Sequence, residues 1–444
     1  MMKCSVSGRV PNYPVISKIS GHMFDKEVIE KHIRDYGKCP ITGASLTMDD
    51  IIGIFTKEVL NSNYAAEVLN ESSSSSNSTR TSSKRTSAAT GESACPQLPS
   101  SIAKEIKITR RKLSECRIHR DRKMSPSLAT VDALRGYIFH DNYTLHKNIK
   151  PGVLCMDIDN SKGIVATGGA DTNAAVFDLL SRKTVSTLIG HSEKVTSVKF
   201  VKEGELVVTG SGDNTVRVWQ RSEEEEGSYK CKDIVDHHAE VRAVTIHPSQ
   251  KYFVTSFDCT WKLYDLASES HVAQVACHKG SESFSTALFH PDGRVLGTCA
   301  SGLVRFWDVA KQGDILKIDA HTDRVTSIAF SENGYNFATA AGDGVKLWDL
   351  RFLRSIKTFP LNDISQTRSV DFDHSGKYLA TGGSGISIYE IAETNPITTL
   401  SLPRMSDKGD LSCLKFGKDA KYIAAAGTLD SDLLLFGSFE GNDS

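Results

Sequence analysis

A small α+β module, then a polar connecting stretch, then an all-β seven-bladed propeller: three features of the sequence predict this multidomain fold class. The first is a mark repeated seven times, an aromatic residue usually followed by an acidic one: Phe177-Asp178, Trp219-Gln220, Tyr264-Asp265, Trp307-Asp308, Trp348-Asp349, Tyr389-Glu390 and Phe436-Gly437. The marks recur every 41 to 47 residues, the period of a four-stranded propeller blade. The second is alternation of apolar and polar residues within each period, as at 195–200 and 215–219, with a short apolar run at 206–209 between them. The third is composition. Serine and threonine crowd the chain from 72 to 87 and bury too little apolar surface to offset the entropy of ordering, so a disordered linker is expected there. The expected boundaries are 1–69 for the module, 70–136 for the linker with a basic helix at about 101–123, and 137–444 for the propeller.

The repeats also predict how the ring closes. The segment at 186–188 precedes Gly190-His191 as the outer strand of a preceding blade, and the segment at 142–145 precedes His146 in the same way. No blade comes before His146, so residues 137–145 are expected to complete the last blade by pairing with 432–436, which protects the sheet edges. His191, Thr209, Asp213 and Trp219 recur as His321, Thr339, Asp343 and Trp348. A His, an Asp and a hydroxyl suggest a catalytic triad. Duplication at blade spacing points instead to a structural hydrogen-bond tetrad, and no catalytic residue is assigned. The fourth and sixth blades carry Ser301-Gly302 and Ser384-Gly385 at the corresponding turn, so packing is expected to hold them. Exposed loops on the rigid ring are the expected docking sites, and the acidic run at 223–226 reads as one such loop.

The first 69 residues read as two loops flanking a hairpin and one helix: Cys4-Ser5-Val6-Ser7-Gly8, Pro14-Val15-Ile16-Ser17, Gly21-His22-Met23-Phe24-Asp25 and Gly37-Lys38-Cys39-Pro40-Ile41-Thr42-Gly43. Asp25 caps the helix, Val28, Ile29, His32 and Ile33 share one face, and Gly37 ends it. A second helix is expected near Thr47, ahead of Ile51 and Ile52, with an irregular helical tail over 64–69. The layout resembles a RING-type module, which holds two zinc ions. Only Cys4, His22, His32 and Cys39 are on offer, without a Cys-x-x-Cys, so no metal or cofactor is expected. The zinc-free form of this layout is the U-box, which these residues resemble. Stoichiometric zinc in purified protein would overturn that choice in favour of a RING.

Charge and composition exclude other classes. A formal charge of -1 and a pI near 6.9 provide no global attraction to nucleic acid or membranes. No apolar run is long enough to span a bilayer, and no secretory signal opens the chain, so no membrane partner is expected. Ten scattered cysteines read as reduced core residues. The helix expected at 101–123 carries Lys104, Lys107, Arg110, Arg111, Lys112, Arg117, Arg120, Arg122 and Lys123, with Ile102, Ile106 and Leu113 loosely on one face. A solvated face, a nuclear-import signal and a contact with RNA or acidic protein all fit that pattern, and direct RNA contact stays open.

Both ends of the chain together resemble one family, the pre-mRNA-processing factor nineteen ubiquitin ligases, in which a U-box precedes seven WD repeats. The resemblance rests on Cys4, Val6, Ser7, Gly8 and Pro11, on Pro14, Val15 and Ser17, on 35–40 and 49–51, and in the propeller on 166–169, 247–249 and 346–350. It implies a ubiquitin-protein ligase acting in the nucleus, in pre-mRNA splicing and DNA repair, with a ubiquitin-conjugating enzyme, ubiquitin and spliceosomal proteins as partners. Val6, His32, Pro40 and Ile41 match positions where U-boxes dock the conjugating enzyme. Gly43 stands where many such ligases carry a cation that steadies the conjugate, which implies modest activity. Relatives place a tetramer-forming coiled coil between U-box and propeller, and here serines replace its heptads, so weakened oligomerisation is expected. The alternative is a non-catalytic WD-repeat scaffold of a spliceosomal complex.

Overall fold

The computed structural model describes residues 14–17, 23–47, 51–53, 98–120, 127–147, 149–223, 227–268, 270–276, 282–359, 367–393, 395–402, 411–427 and 432–438. They belong to two compact units, a small N-terminal one and a large one that holds the seven blade sheets.

In the small unit, β1 (Pro14–Ser17) lies between β2 (Met23–Asp25) and β3 (Ile51–Gly53) in an antiparallel sheet, and α1 (Lys26–Tyr36) follows β2 directly. Phe24, Ile29, Ile33, Cys39 and Leu46 form its core. The second helix expected near Thr47 is corrected here. Residues 51–53 form a strand, with Val15 opposite Gly53, Ile16 opposite Ile52 and Ser17 opposite Ile51. Two β-branched isoleucines fit a pleated edge, and pairing with β1 overrides the weak local helix signal. The tail expected over 64–69 lies outside the described residues.

Among the described residues the large unit holds seven four-stranded antiparallel sheets. Blade one comprises Val153–Asp159, Ile164–Gly169, Ala174–Asp178 and Lys183–Leu188, and five further blades repeat that order. The seventh has three strands of its own, Leu411–Phe416, Tyr422–Gly427 and Asp432–Gly437, and its fourth is β4 (Ile138–Thr144) from the start of the unit. Thr144 lies opposite Asp432 and Phe139 opposite Phe436. Asp432 accepts hydrogen bonds from Asn142 Nδ2 at 2.7 Å and Thr144 Oγ1 at 2.6 Å. In all seven blades the pairing of the third and fourth strands slips immediately before the closing aromatic, as at Val218/Trp219, Leu347/Trp348 and Leu435/Phe436. A bulge there twists the outer strand around the bulky ring. Since β4 makes the same bulge against Phe436, it is a true fourth strand.

Neighbouring blades share their cores, and side chains of the inner strands stitch one blade to the next. The Phe200 N–H donates to Asp157 at 2.9 Å, that of Val244 to Ser197 Oγ at 3.0 Å, that of Phe289 to Thr245 Oγ1 at 3.1 Å and that of Phe416 to Asp371 at 2.9 Å. The acceptor oxygen always belongs to the preceding blade, so each bond satisfies a buried N–H and sets the angle between sheets.

Two helices outside the repeats belong to the same unit. The stretch assigned to the linker forms α2 (Ser100–Arg120), whose Ile106 is fully buried among Tyr252, Trp261, Phe284 and Trp307 of blades three and four. Glu105 beside it accepts from Lys251 Nζ at 2.5 Å and Tyr252 Oη at 2.7 Å, and the Leu98 N–H donates to Gln312 Oε1 at 2.8 Å. A short helix, α3 (Val131–Arg135), is capped by Thr130 and leads into β4; its Leu134 is buried between blades six and seven with Tyr137. The Tyr378 hydroxyl donates to the Ala129 carbonyl at 3.0 Å. Replacing Ile106 with alanine is expected to cost about 2–5 kcal/mol in urea unfolding of the propeller, by lost burial plus a cavity. The exposed Ile108→Ala, one turn-face away, should stay within about 0.5 kcal/mol of wild type; equal effects would mean that α2 is not docked.

Candidate functional site

In the small unit the candidate surface is built on α1 and the loop that follows. Gly37, at φ +62°, ends the helix, its N–H bonded to the Ile33 carbonyl at 2.8 Å. The chain then folds on itself: the Cys39 N–H donates to Ala44 O at 2.7 Å, Gly43 N–H to Cys39 O at 2.9 Å and Leu46 N–H to Gly37 O at 3.0 Å. Those bonds fix a tight tip at residues 40–43. Ile41 is 45% exposed there, with Pro40 partly exposed beside it. The loop's own backbone hydrogen bonds thus hold an aliphatic side chain out in water. His32 is half-buried on α1 and its ring lies 4.7 Å from that of Tyr36, which is largely exposed. Tyr36 is not among the residues read from the sequence; its i+4 spacing from His32 is the available signal. Val6, Cys4 and His22 lie outside the described residues. Cys39 is buried in the small core. Gly43 sits at φ +69° with open space around it, a conformation glycine adopts without strain.

In the propeller, His191 lies with Nδ1 2.9 Å from Asp213 and Nε2 2.8 Å from Thr209 Oγ1, and Trp219 Nε1 donates to the same oxygen at 2.8 Å. His321 contacts Asp343 through Nδ1 and lies 2.7 Å from Thr339 Oγ1, which accepts from Trp348 at 2.9 Å. Burial disfavours the charged imidazole, and an ionised carboxylate can only accept, so the neutral ring donates from Nδ1 to the aspartate. Its bare Nε2 then accepts from the threonine hydroxyl, whose oxygen in turn accepts from the indole. Burial lowers the pKa of His191, against the opposing pull of Asp213. Asp213, which burial alone would raise, is brought down to about 2 by hydrogen bonds from Thr215, the Ser192 N–H and His191. The His191 side chain is 1% exposed, so its nitrogens face no substrate.

A third set was missed in the sequence. His146 Nδ1 is 2.9 Å from Asp171, and Nε2 is 2.9 Å from Thr167 Oγ1. Phe177 closes that blade in place of tryptophan, which hid it. The signal was a threonine four residues before an aspartate, common to 167/171, 209/213 and 339/343. In all three sets the residue after the histidine donates its N–H to the aspartate, at 3.0–3.1 Å. In blade four the Ser301 and Gly302 carbonyls do the holding: Gly302 accepts from the Ala320 and His321 N–H groups at 2.9 and 3.0 Å, and Ser301 from Val325 at 2.7 Å. Backbone hydrogen bonds thus supplement the packing expected at that turn.

Two stability tests follow from this chemistry. Thr209→Val strands a buried imidazole nitrogen and an indole N–H, and should cost about 2–3 kcal/mol in urea unfolding, whereas Trp219→Phe should be dominated by altered packing. The acid response has a definite sign. An imidazole held neutral in the fold contributes stability that is present above its ordinary 6.5 and lost as pH falls through its lower folded value. A carboxylate drawn down to about 2 contributes stability present above 3.8 and lost below it. Both lower Tm with acid, first below about pH 6.5, and His191→Gln should flatten the first part of that decline.

No helix among the described residues is long and apolar enough to cross a membrane. The family model for the WD domain, G-beta repeat, matches residues 182–220, 229–265, 270–308 and 313–349. Pre-mRNA-processing factor 19 of Oryza sativa subsp. japonica is 41% identical, over 98% of this chain and 97% of its own length. Pre-mRNA-processing factor 19 homolog 2 of Arabidopsis thaliana is 39% identical over the same shares, and Pre-mRNA-processing factor 19 of Homo sapiens is 28% identical over 96% and 97%. The rice alignment runs over 516 positions, 72 more than the 444 residues here, so at least that many rice positions face a gap. Relatedness along nearly the whole of both chains, on a seven-bladed WD-repeat ring, makes this chain a member of the pre-mRNA-processing factor 19 family of U-box ubiquitin-protein ligases.

Proposed function

We propose that this ligase docks a ubiquitin-conjugating enzyme on Val6, His32, Pro40 and Ile41 and recruits substrates and spliceosomal proteins through the propeller, in the nucleus, during pre-mRNA splicing and DNA repair. The observation that carries the docking reading is the exposed Ile41 on a loop closed by its own backbone hydrogen bonds. The reaction needs no nucleophile from this chain. A substrate lysine amine attacks the thioester carbonyl, the conjugating enzyme's thiolate leaves, and the ligase contributes proximity and orientation. The His–Asp–Thr sets then serve as clamps on the loops entering their blades, which keeps the recruiting surface rigid.

The gap of at least 72 positions against the rice relative supports loss of the segment through which relatives would assemble. On that reading the chain is a monomer or a weak dimer, and transfer is modest because Gly43 supplies no cation.

Ile41→Arg should abolish conjugating-enzyme binding and ubiquitin chain formation in a reconstituted assay while leaving the thermal melt unchanged. Full activity in that variant, across a panel of conjugating enzymes, would sink the docking site. Light scattering should return a mass near the 48.5 kDa of one chain at micromolar concentration; a stable tetramer would refute the assembly claim.

A further inference from the structure

The outer face of α2 carries a surface that the ligase reading does not use. One side of the helix is committed to the propeller through Ile102, Glu105 and Ile106. Lys104, Lys107, Arg111 and Lys112 on the other side are all exposed, with Ile108 57% exposed in their midst. Arg111 is bonded to Glu115 at 2.9 Å, and Lys104, Lys107 and Lys112 have no ion-pair partner among the described residues. At 1.5 Å per residue the lysines span about 12 Å along the axis; Lys104, Lys107 and Arg111 share a stripe that Lys112 flanks. The whole chain has a net charge of -1, so this cationic ridge is a local feature.

The anchoring matters as much as the charge. Clustered cations on an isolated helix repel one another and fray it, whereas here burial of Ile106 and the Glu105 bonds hold the backbone against blades three and four. The ridge therefore presents its charges in register, and a ligand meets less ordering cost on binding. The fitting ligand is a flexible polyanion with evenly spaced charges and an apolar face for Ile108. A single nucleic-acid strand has both, in its phosphates and its bases. We propose that the outer face of α2 binds single-stranded nucleic acid through its phosphate backbone, without sequence preference.

The test is fluorescence anisotropy of the full chain with a labelled oligouridine of about twenty nucleotides, across a salt series. Reversing Lys104, Lys107 and Lys112 to glutamate should weaken Kd at least about tenfold at low salt and reduce the slope of log K against log salt by about 2, at roughly 0.7 per lost phosphate contact. A control with Lys183, Lys418 and Lys421 reversed, all exposed and away from α2, should match wild type. The propeller-facing side is untouched, so an unchanged thermal melt certifies that α2 stays docked. The proposal is overturned if wild type does not bind, if the ridge variant keeps its affinity and slope, or if the control loses as much. Competition by poly-glutamate of matched charge as effective as by RNA would also overturn it, assigning the ridge to acidic protein.

Discussion

The ring depends on one antiparallel pairing. Strand β4, from the start of the large unit, supplies the fourth strand of the seventh blade, and nothing else in the described chain satisfies the outward edge of Asp432–Gly437. Without it a buried row of backbone N–H and C=O groups would be opened, and the seam between blades six and seven would lose Tyr137, Leu134 and the Phe139–Phe436 edge contact. The pairing joins residues nearly 300 positions apart in sequence, so it carries a larger loop-closure cost than the hairpin pairings within the other blades.

With the circle closed, the function divides by rigidity. Inner-strand oxygens of Asp157, Ser197, Thr245 and Asp371 fix the angle between sheets, and the histidine sets clamp the entering loops. The result is a stiff platform, suited to presenting loops to large partners. In the other unit a loop of a few residues is likewise held by backbone hydrogen bonds, leaving Ile41 exposed. Both surfaces are preorganised, which fits a ligase that contributes geometry and no covalent chemistry.

Much of this was legible in the sequence, for identifiable reasons. Period and alternation report burial directly, so the blades, their number and the strand that closes them could be read from aromatic marks and apolar runs. What depended on tertiary partners could not. Ile102 and Ile106 make a weak apolar stripe on a very basic helix, and only the waiting pocket between Tyr252 and Trp307 makes α2 part of the propeller. Ile51 and Ile52 follow a helix-like start, yet the open edge of β1 captures them. The set at His146 was obscured because its closing residue is Phe177. In the N-terminal module the loop tip was legible as Pro40 and Ile41, while the exposed Tyr36 beside His32 emerged only from the packing of α1.

Hydrogen exchange measured residue by residue tests the closed ring most directly. If β4 is an integral strand, amides in Ile138–Thr144 that face Asp432–Gly437 exchange as slowly as those joining the third and fourth strands of blades two and five, and all are released together near the global unfolding free energy. Exchange of Ile138–Thr144 orders of magnitude faster than those strands, with the rest of the propeller still protected, would contradict the account.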